Sequence, residues 1–269
     1  MESNVLEAVG DVLRTAAATA VMPRFAALRP DEMEMKAEGD PVTIADREAE
    51  ALIGRSLRLL LPQARVVGEE ACAADPSLID KLDEGTVWII DPIDGTANFA
   101  AGRPPFAVMV ALLNNGETVG SWILDPVSDR LFVAQRGGGA WIDGQRVRTS
   151  AQPIDAGDLH GIASEAYLPA DRRSMIDQLR ATVGMVHPTA RCAGHEYPLV
   201  ASGARHFAIY WRTLVWDHAP GALFLTEAGG SVTHLDGARY CPARPRTGLL
   251  LAHNPAIAQH LLRLTSATA

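Results

Sequence analysis

Val5, Leu6, Val9, Val12, Leu13, Ala16 and Ala20 recur at three- and four-residue steps, the period of one helix face. Residues 3–28 are therefore predicted as an amphipathic helix, ended by Pro30 and Asp31. A second helix is predicted from Thr43, whose hydroxyl can cap the first turn, through Ala49, Leu52, Ile53 and Leu57 towards Pro62. The texture then changes. Two short apolar runs, 65–67 and 86–90, each stop abruptly at acidic residues. Segments 106–113, 117–124 and 130–134 read as a β-meander, broken by Asn114-Asn115-Gly116 and by Asp125-Pro126. Gly137-Gly138-Gly139 leads into a further hairpin over 140–144.

The polar stretch 149–157, with its Pro and Gly residues, marks a boundary and divides the chain into halves 1–150 and 151–269. Beyond it, strand-like 161–163 precedes helices near 170–182 and 194–203 and a strand at 207–211. A long helix over 217–228, stopped by Gly229-Gly230, precedes strands at 231–234 and 248–252 and a final short helix from Pro255. The fold class is α/β (α+β), with a mostly antiparallel N-terminal sheet and a smaller C-terminal α/β half.

Composition narrows the partners. With 269 residues, 48% hydrophobic and 21% charged, the chain is an ordinary globular protein. A net charge of −8 disfavours a nucleic-acid backbone as partner. The apolar run at 106–113 falls short of the about 20 residues that span a bilayer, so no membrane partner is expected. Asp11 and Arg14 interrupt the N-terminal apolar positions, and no signal peptide is expected. Three widely spaced cysteines, Cys72, Cys192 and Cys241, form no C-x-x-C pair and fit a reducing cytoplasm.

The chemistry gathers at Val87-Trp88-Ile89-Ile90-Asp91-Pro92-Ile93-Asp94-Gly95-Thr96. A buried strand ends in two carboxylates three residues apart, across a stiff proline, and Gly95-Thr96 opens a helix. The arrangement offers hard oxygen ligands for a cation beside backbone N–H groups that can take a phosphate. An isolated D-x-x-D is more often an Asx turn, but this one has company. Gly68-Glu69-Glu70 ends the preceding strand, Asp40 and Asp46 flank Thr43, and Trp216-Asp217 lies in the first turn of the long helix. Each acid stands at the end of an element, where side chains converge. Metals held by several carboxylates polarise a phosphoryl group and acidify water.

Four blocks carry a family resemblance: Asp40-Pro41-Val42-Thr43-Ile44-Ala45-Asp46, Gly68-Glu69-Glu70, Asp91-Pro92-Ile93-Asp94-Gly95-Thr96 with Asn98-Phe99, and Trp216-Asp217-His218-Ala219-Pro220-Gly221 running to Thr226-Glu227-Ala228-Gly229-Gly230. In this order, over nearly the whole chain, they resemble the inositol monophosphatase family. The resemblance implies a layered αβαβα sandwich, two or three Mg²⁺ ions per subunit, a homodimer and a small phosphorylated substrate. By position, Glu69, Asp91 and the Ile93 carbonyl would bind one metal, and Asp91, Asp94 and Asp217 a second. The N-terminal half would hold the main metal site, with Asp217 and substrate contacts from the C-terminal half. Glu69 and Thr96 would hold the attacking water, Asp46 would support the Thr96 hydroxyl, and the Gly95 and Thr96 amides would take the phosphate.

One departure concerns the substrate. Inositol-specific members carry an acidic residue seven positions before the last metal aspartate, and this chain has Tyr210 there. Gly194, His195 and Glu196 are the candidates to replace that contact. The activity expected is Mg²⁺-dependent hydrolysis of inositol monophosphate or a similar polyol phosphate. The alternatives are a sister phosphatase acting on a nucleotide bisphosphate, sugar bisphosphate or histidinol phosphate, and a non-catalytic metal-binding regulatory protein. A zinc-protease reading of His195-Glu196 fails, because position 199 is Leu. The glycine triplet lacks the Gly-Lys-Ser/Thr of a phosphate loop, and Pro92 stands where an aspartyl-nucleophile phosphatase needs Asp.

Overall fold

The first helix stops earlier than its apolar pattern predicts. In the computed structural model of the protein, which describes residues 3–37 and 40–266, α1 spans Ser3–Ala16. It widens into a π turn at Ala17–Val21 and tightens into a 3₁₀ turn at Met22–Arg24. Pro23 has no N–H for the helix ladder and crowds the preceding turn, so the helix breaks before Phe25. Pro30 is not the stop; it opens a separate 3₁₀ turn at Pro30–Glu32. A hairpin of β1, Met33–Ala37, and β2, Asp40–Thr43, follows. The sequence hides it because Met33 and Met35 lie exposed, and only the backbone of Asp40 is described.

Helix α2, Ile44–Leu60, starts where predicted. The Thr43 hydroxyl accepts the Ala45 N–H at 3.1 Å, and the Asp46 carboxylate accepts the Thr43 N–H at 2.8 Å, a reciprocal cap. Then come β3 (Arg65–Gly68), the short α3 (Glu69–Ala74), β4 (Thr86–Asp94), α4 (Thr96–Ala100), β5 (Ala107–Asn114), β6 (Glu117–Asp125), β7 (Arg130–Gln135), β8 (Gly139–Ile142) and β9 (Gln145–Val147). These seven strands form one sheet in chain order. Only β3 and β4 pair in parallel. The hairpin predicted after the glycine triplet is β8–β9, turning at Asp143-Gly144, where both φ angles are positive.

The remaining elements are β10 (His160–Ala163), α5 (Arg173–Thr182), β11 (Met185–Pro188), α6 (Ala193–Ser202), β12 (Phe207–Tyr210), α7 (Val215–Glu227), β13 (Ser231–His234), β14 (Leu249–Ala252) and α8 (Pro255–Ser266). The five strands order as β11-β10-β12-β14-β13, parallel at the first end and antiparallel at the other. Strand β11 escapes sequence reading. It is an edge strand closed by Pro188, where no ladder N–H is required.

Stacking these elements gives the layered αβαβα sandwich. Leu13, Ala49, Ile53 and Leu57 of α1 and α2 pack on Trp88, Ile90, Val110 and Trp122 of the larger sheet. The Trp122 indole also donates to the Leu6 carbonyl at 2.9 Å, pinning α1. On the sheet's other face, Met109, Ile123 and Phe132 meet α6 and α7 through Tyr197, Val200 and Phe224, which also touch Ala208 and Leu251 of the smaller sheet. Ile176 and Leu179 of α5 and Leu261 of α8 cover that sheet's far side. Among the described residues, no helix is long and apolar enough to cross a membrane.

Candidate active site

Asp91 and Asp94 stand three residues apart on β4, a spacing that a regular strand turns to opposite faces. The ladder to β5 slips between them. Asp91 pairs with Met109 and Asp94 with Ala107, three steps on one strand against two on the other, which is a β-bulge. Pro92 sits in that bulge, where its missing N–H costs nothing. Ile93 therefore falls with Trp88 and Ile90 into the core under α1 and α2, while both carboxylates reach the same cleft. This slip also explains why the strand runs to Asp94, past the 86–90 predicted.

That cleft, about 440 Å³ in volume, brings Glu69, Asp91, Ile93, Asp94, Gly95, Thr96 and Asp217 together. Glu69 comes from the first turn of α3, whose start is fixed by Glu50: its carboxylate accepts the Glu70 and Ala71 N–H groups at 2.7 and 2.9 Å. Asp217 comes from the first turn of α7, where the helix dipole favours a negative charge. Gly95 caps α4 at φ +87°. A side chain there would also meet the Pro105 carbonyl at 3.0 Å and Cys192 at 3.2 Å. The Thr96 hydroxyl lies 2.8 Å from the Ile93 carbonyl and 3.1 Å from the Asp46 carboxylate. Asn98 ties the neighbouring loops by donating to the Pro105 and Ala190 carbonyls, both at 2.8 Å.

The three residues proposed to read the substrate separate. Gly194 sits behind the floor of the cleft and donates its N–H to Asp94 Oδ2 at 2.6 Å. His195 is exposed and absent from the cleft lining. Glu196 is fully buried behind the wall. It accepts the Thr189 hydroxyl at 2.8 Å, the Ala190 N–H at 2.5 Å and the Tyr210 hydroxyl. Helix α6 begins at Ala193, and its 100° step turns His195 outward while its neighbours point in. Tyr210 does line the cleft.

The electrostatics are those of crowded acids. Burial, then the charges of Glu69, Asp94, Asp217 and Asp46, hold Asp91 well above the usual carboxylate range. Burial raises Asp94 to about 7 against the Gly194 hydrogen bond, and Asp46 to about 6 against its bonds to Thr43. Asp91 Oδ1 is buried without a hydrogen-bond partner, a costly condition for such an oxygen. Lys36 Nζ on β1 answers part of the charge, 2.9 Å from Glu69 and 2.7 Å from Glu70. Sequence reasoning missed Lys36, although it is one of only two lysines in the chain. It also missed Glu50, Tyr167 and Arg212.

Among the described residues, no three His, Cys, Asp or Glu side chains already stand in ligand geometry about one point. The donor set nevertheless fits a hard divalent cation: all-oxygen, anionic and convergent, with the orphaned Asp91 oxygen asking for a positive partner.

Comparison with known proteins agrees with this chemistry. The sequence profile of the inositol monophosphatase family matches residues 2–268. An inositol-1-monophosphatase of Rhizobium meliloti is 33% identical over 208 residues, covering 77% of this chain and 76% of that one. A histidinol-phosphatase of Chlorobaculum parvum is 36% identical over 196 residues, covering 72% and 73%. The structure of the extragenic suppressor protein suhB from Bartonella henselae superposes with a TM-score of 0.85 at 28% identity, covering 98% of each chain.

Proposed function

We propose that this chain, which belongs to the inositol monophosphatase family and is a phosphomonoester hydrolase, uses Mg²⁺ to hydrolyse a small phosphomonoester of the inositol monophosphate or polyol phosphate type. The observation that carries the reading is the convergence of Glu69, Asp91, Asp94 and Asp217 on one cleft, with an unsatisfied buried oxygen on Asp91. Glu69, Asp91 and the Ile93 carbonyl would hold one ion, and Asp91, Asp94 and Asp217 a second. Bound there, Mg²⁺ supplies charge neutralisation for the phosphoryl group and a more acidic water.

The chain's own groups do the positioning. Asp46, anchored by Thr43, gives the Thr96 hydroxyl an acceptor, so its lone pairs can orient the attacking water beside Glu69. Gly95 and Thr96 line the cleft where α4 begins, and their amides suit a phosphate oxygen. The Gly194 amide fixes the Asp94 carboxylate. A homodimer and a cytoplasmic location, both implied by the family, belong to the same proposal. So do the halves 1–150 and 151–269, supported by the strand order, since β3–β9 precede the boundary and β10–β14 follow it.

A second reading, histidinol phosphate as substrate, is favoured by the similarity to the Chlorobaculum parvum enzyme and by Tyr210 in the place of an acid. Phosphate release from a panel of small phosphomonoesters, with and without Mg²⁺, tests the proposal and ranks the substrates. Release that is indifferent to Mg²⁺ and EDTA would overturn it.

The acid cluster also sets a pH dependence. Asp91 and Asp94 titrate higher in the folded than in the unfolded chain, whose carboxyls ionise near 3.8. The folded state therefore binds more protons, and the metal-free protein loses stability as pH rises from near 3.8 through about 7. A bound cation reverses that loss. Mg²⁺ at saturating concentration is expected to raise the melting temperature by roughly 3 °C or more at pH 8 and by under about 1 °C at pH 5. Equal shifts at both values would count against the cluster as the metal site.

A further inference from the structure

We infer that His253 and His206 form an acid-labile clasp where the chain passes from β9 to β10. Each ring holds a main-chain N–H on an unprotonated nitrogen, and a proton taken up there releases it.

The hydrogen bonds fix the state of both rings. His253, just past β14, is buried. Its Nδ1 lies 2.9 Å from the Val200 carbonyl, which can only accept, so Nδ1 carries the proton. Its Nε2 accepts the Ser150 N–H at 2.9 Å and is therefore bare. His206, just before β12, repeats the arrangement, its Nδ1 accepting the His160 N–H at 2.9 Å. The main chain links the parts. The His206 N–H donates to the His160 carbonyl at 2.6 Å, and the His253 N–H to the His206 carbonyl at 2.8 Å. A doubly protonated imidazole offers donors only, and N–H would then face N–H at Ser150 or at His160.

The surroundings suit neutral rings. His253 is faced by the Val200 carbonyl, Gly203 and Ser150, which carry no charge, and by His206. Burial, then His253, His160 on β10 and Arg205 in the turn before β12, hold His206 below its usual 6.5. His187 on β11 extends the group, its ring centre 6.1 Å from that of His160. These side chains are all basic, so one proton repels the next. Because His206 titrates lower folded than unfolded, its contribution to stability is present above 6.5 and is lost as pH falls below that value. The acid cluster of the cleft has the opposite sign. The clasp also secures the far ends of the two helices that reach the cleft. Val200 lies in the last turn of α6, whose first turn fixes Asp94 through Gly194. Thr149, beside Ser150, donates its N–H to the Ala228 carbonyl at the end of α7, at 2.7 Å.

Amide hydrogen exchange with Mg²⁺ present tests this. Ser150 and His160 lie at the surface, so a released amide meets water at once. At pH 5.0 a released ring titrating near 6.5 gains up to about thirtyfold over a held ring that stays neutral. Protection of both amides, corrected for the intrinsic rate, is expected to fall by about tenfold or more from pH 7.5 to pH 5.0, while Ile89 of β4 changes by under about twofold. His253→Gln, whose Oε1 can take the Ser150 N–H but no proton, is expected to abolish the fall at Ser150. His206→Asn, whose Oδ1 stands in for Nδ1, is expected to abolish it at His160. In wild-type ¹⁵N spectra, His253 Nε2 and His206 Nδ1 are expected to be unprotonated at pH 7.5. Constant protection across this range overturns the inference, as does a fall that persists in both variants or that Ile89 shares in full. A proton on either nitrogen at pH 7.5 overturns it without recourse to a variant.

Discussion

Asp94→Asn is expected to lower Mg²⁺-dependent phosphate release by about three orders of magnitude or more while making the metal-free protein more heat-stable above pH 7. The two effects have one cause. Asparagine keeps the size of aspartate, and its side-chain oxygen can still accept the Gly194 N–H, so the floor of the cleft keeps its shape. What leaves is a negative charge buried beside those of Asp91 and Glu69. With Mg²⁺ bound as proposed, that charge would help to hold the cation. Without metal, it is a repulsion that the fold tolerates at a cost. The metal-free variant is expected to melt roughly 2 °C or more above wild type at pH 8. Phosphate release and thermal melting in EDTA read the two halves separately. Near-wild-type turnover would remove Asp94 from the metal site, and a lower melting point would mean that its charge is better satisfied than the crowding of acids implies.

Gly221→Ala is expected to destabilise the fold by about 2 kcal/mol, and Gly221→Val by more, to the point of insoluble expression. A Cβ built on Gly221 of α7 falls 2.2 Å from Cδ2 and 2.3 Å from Cγ of the Tyr197 ring on α6. Tyr197 has no exposed surface, and its hydroxyl is engaged by His218. Neither helix can retreat, because the two lie between sheets and touch both. Alanine's better helix propensity returns about 1 kcal/mol, which the overlap exceeds. Urea denaturation measures the loss. Adding Tyr197→Leu to Gly221→Ala is expected to recover part of it, a non-additivity diagnostic of direct contact. If Gly221→Ala alone stays within about 0.5 kcal/mol of wild type, the Tyr197 ring gives way more easily than its packing implies.

The acids of the site were readable because each stands at the end of an element, and the blocks that contain them span the chain in order. Their common orientation was not readable. Strand periodicity alone sends Asp91 and Asp94 to opposite faces, and only the register slip against Met109 and Ala107 reunites them. A slip of that kind depends on the partner strand. The helix over 3–28 was overextended because its apolar spacing outweighed Pro23, whose local effect decided the outcome. His195 and Glu196 were misplaced by helix phase, since a one-residue shift in where α6 begins turns each side chain by about 100°. Lys36 lies on a hairpin whose methionines face outward, so no hydrophobic pattern announced it. Arg212 follows a buried strand and meets the cleft only through contacts between segments far apart in the chain.

The bond from Gly194 to Asp94 crosses from the middle helical layer to the larger sheet, so the amide that fixes this carboxylate is expected to be among the slow exchangers. Its N–H is buried, and no single loop can swing away to release it. Deuterium should replace that proton only when the whole sandwich opens. The fold then has no quiet intermediate in which the chemistry is lost and the architecture kept. Loss of phosphate release on heating should coincide with loss of structure, so a melting curve of this protein is also its inactivation curve.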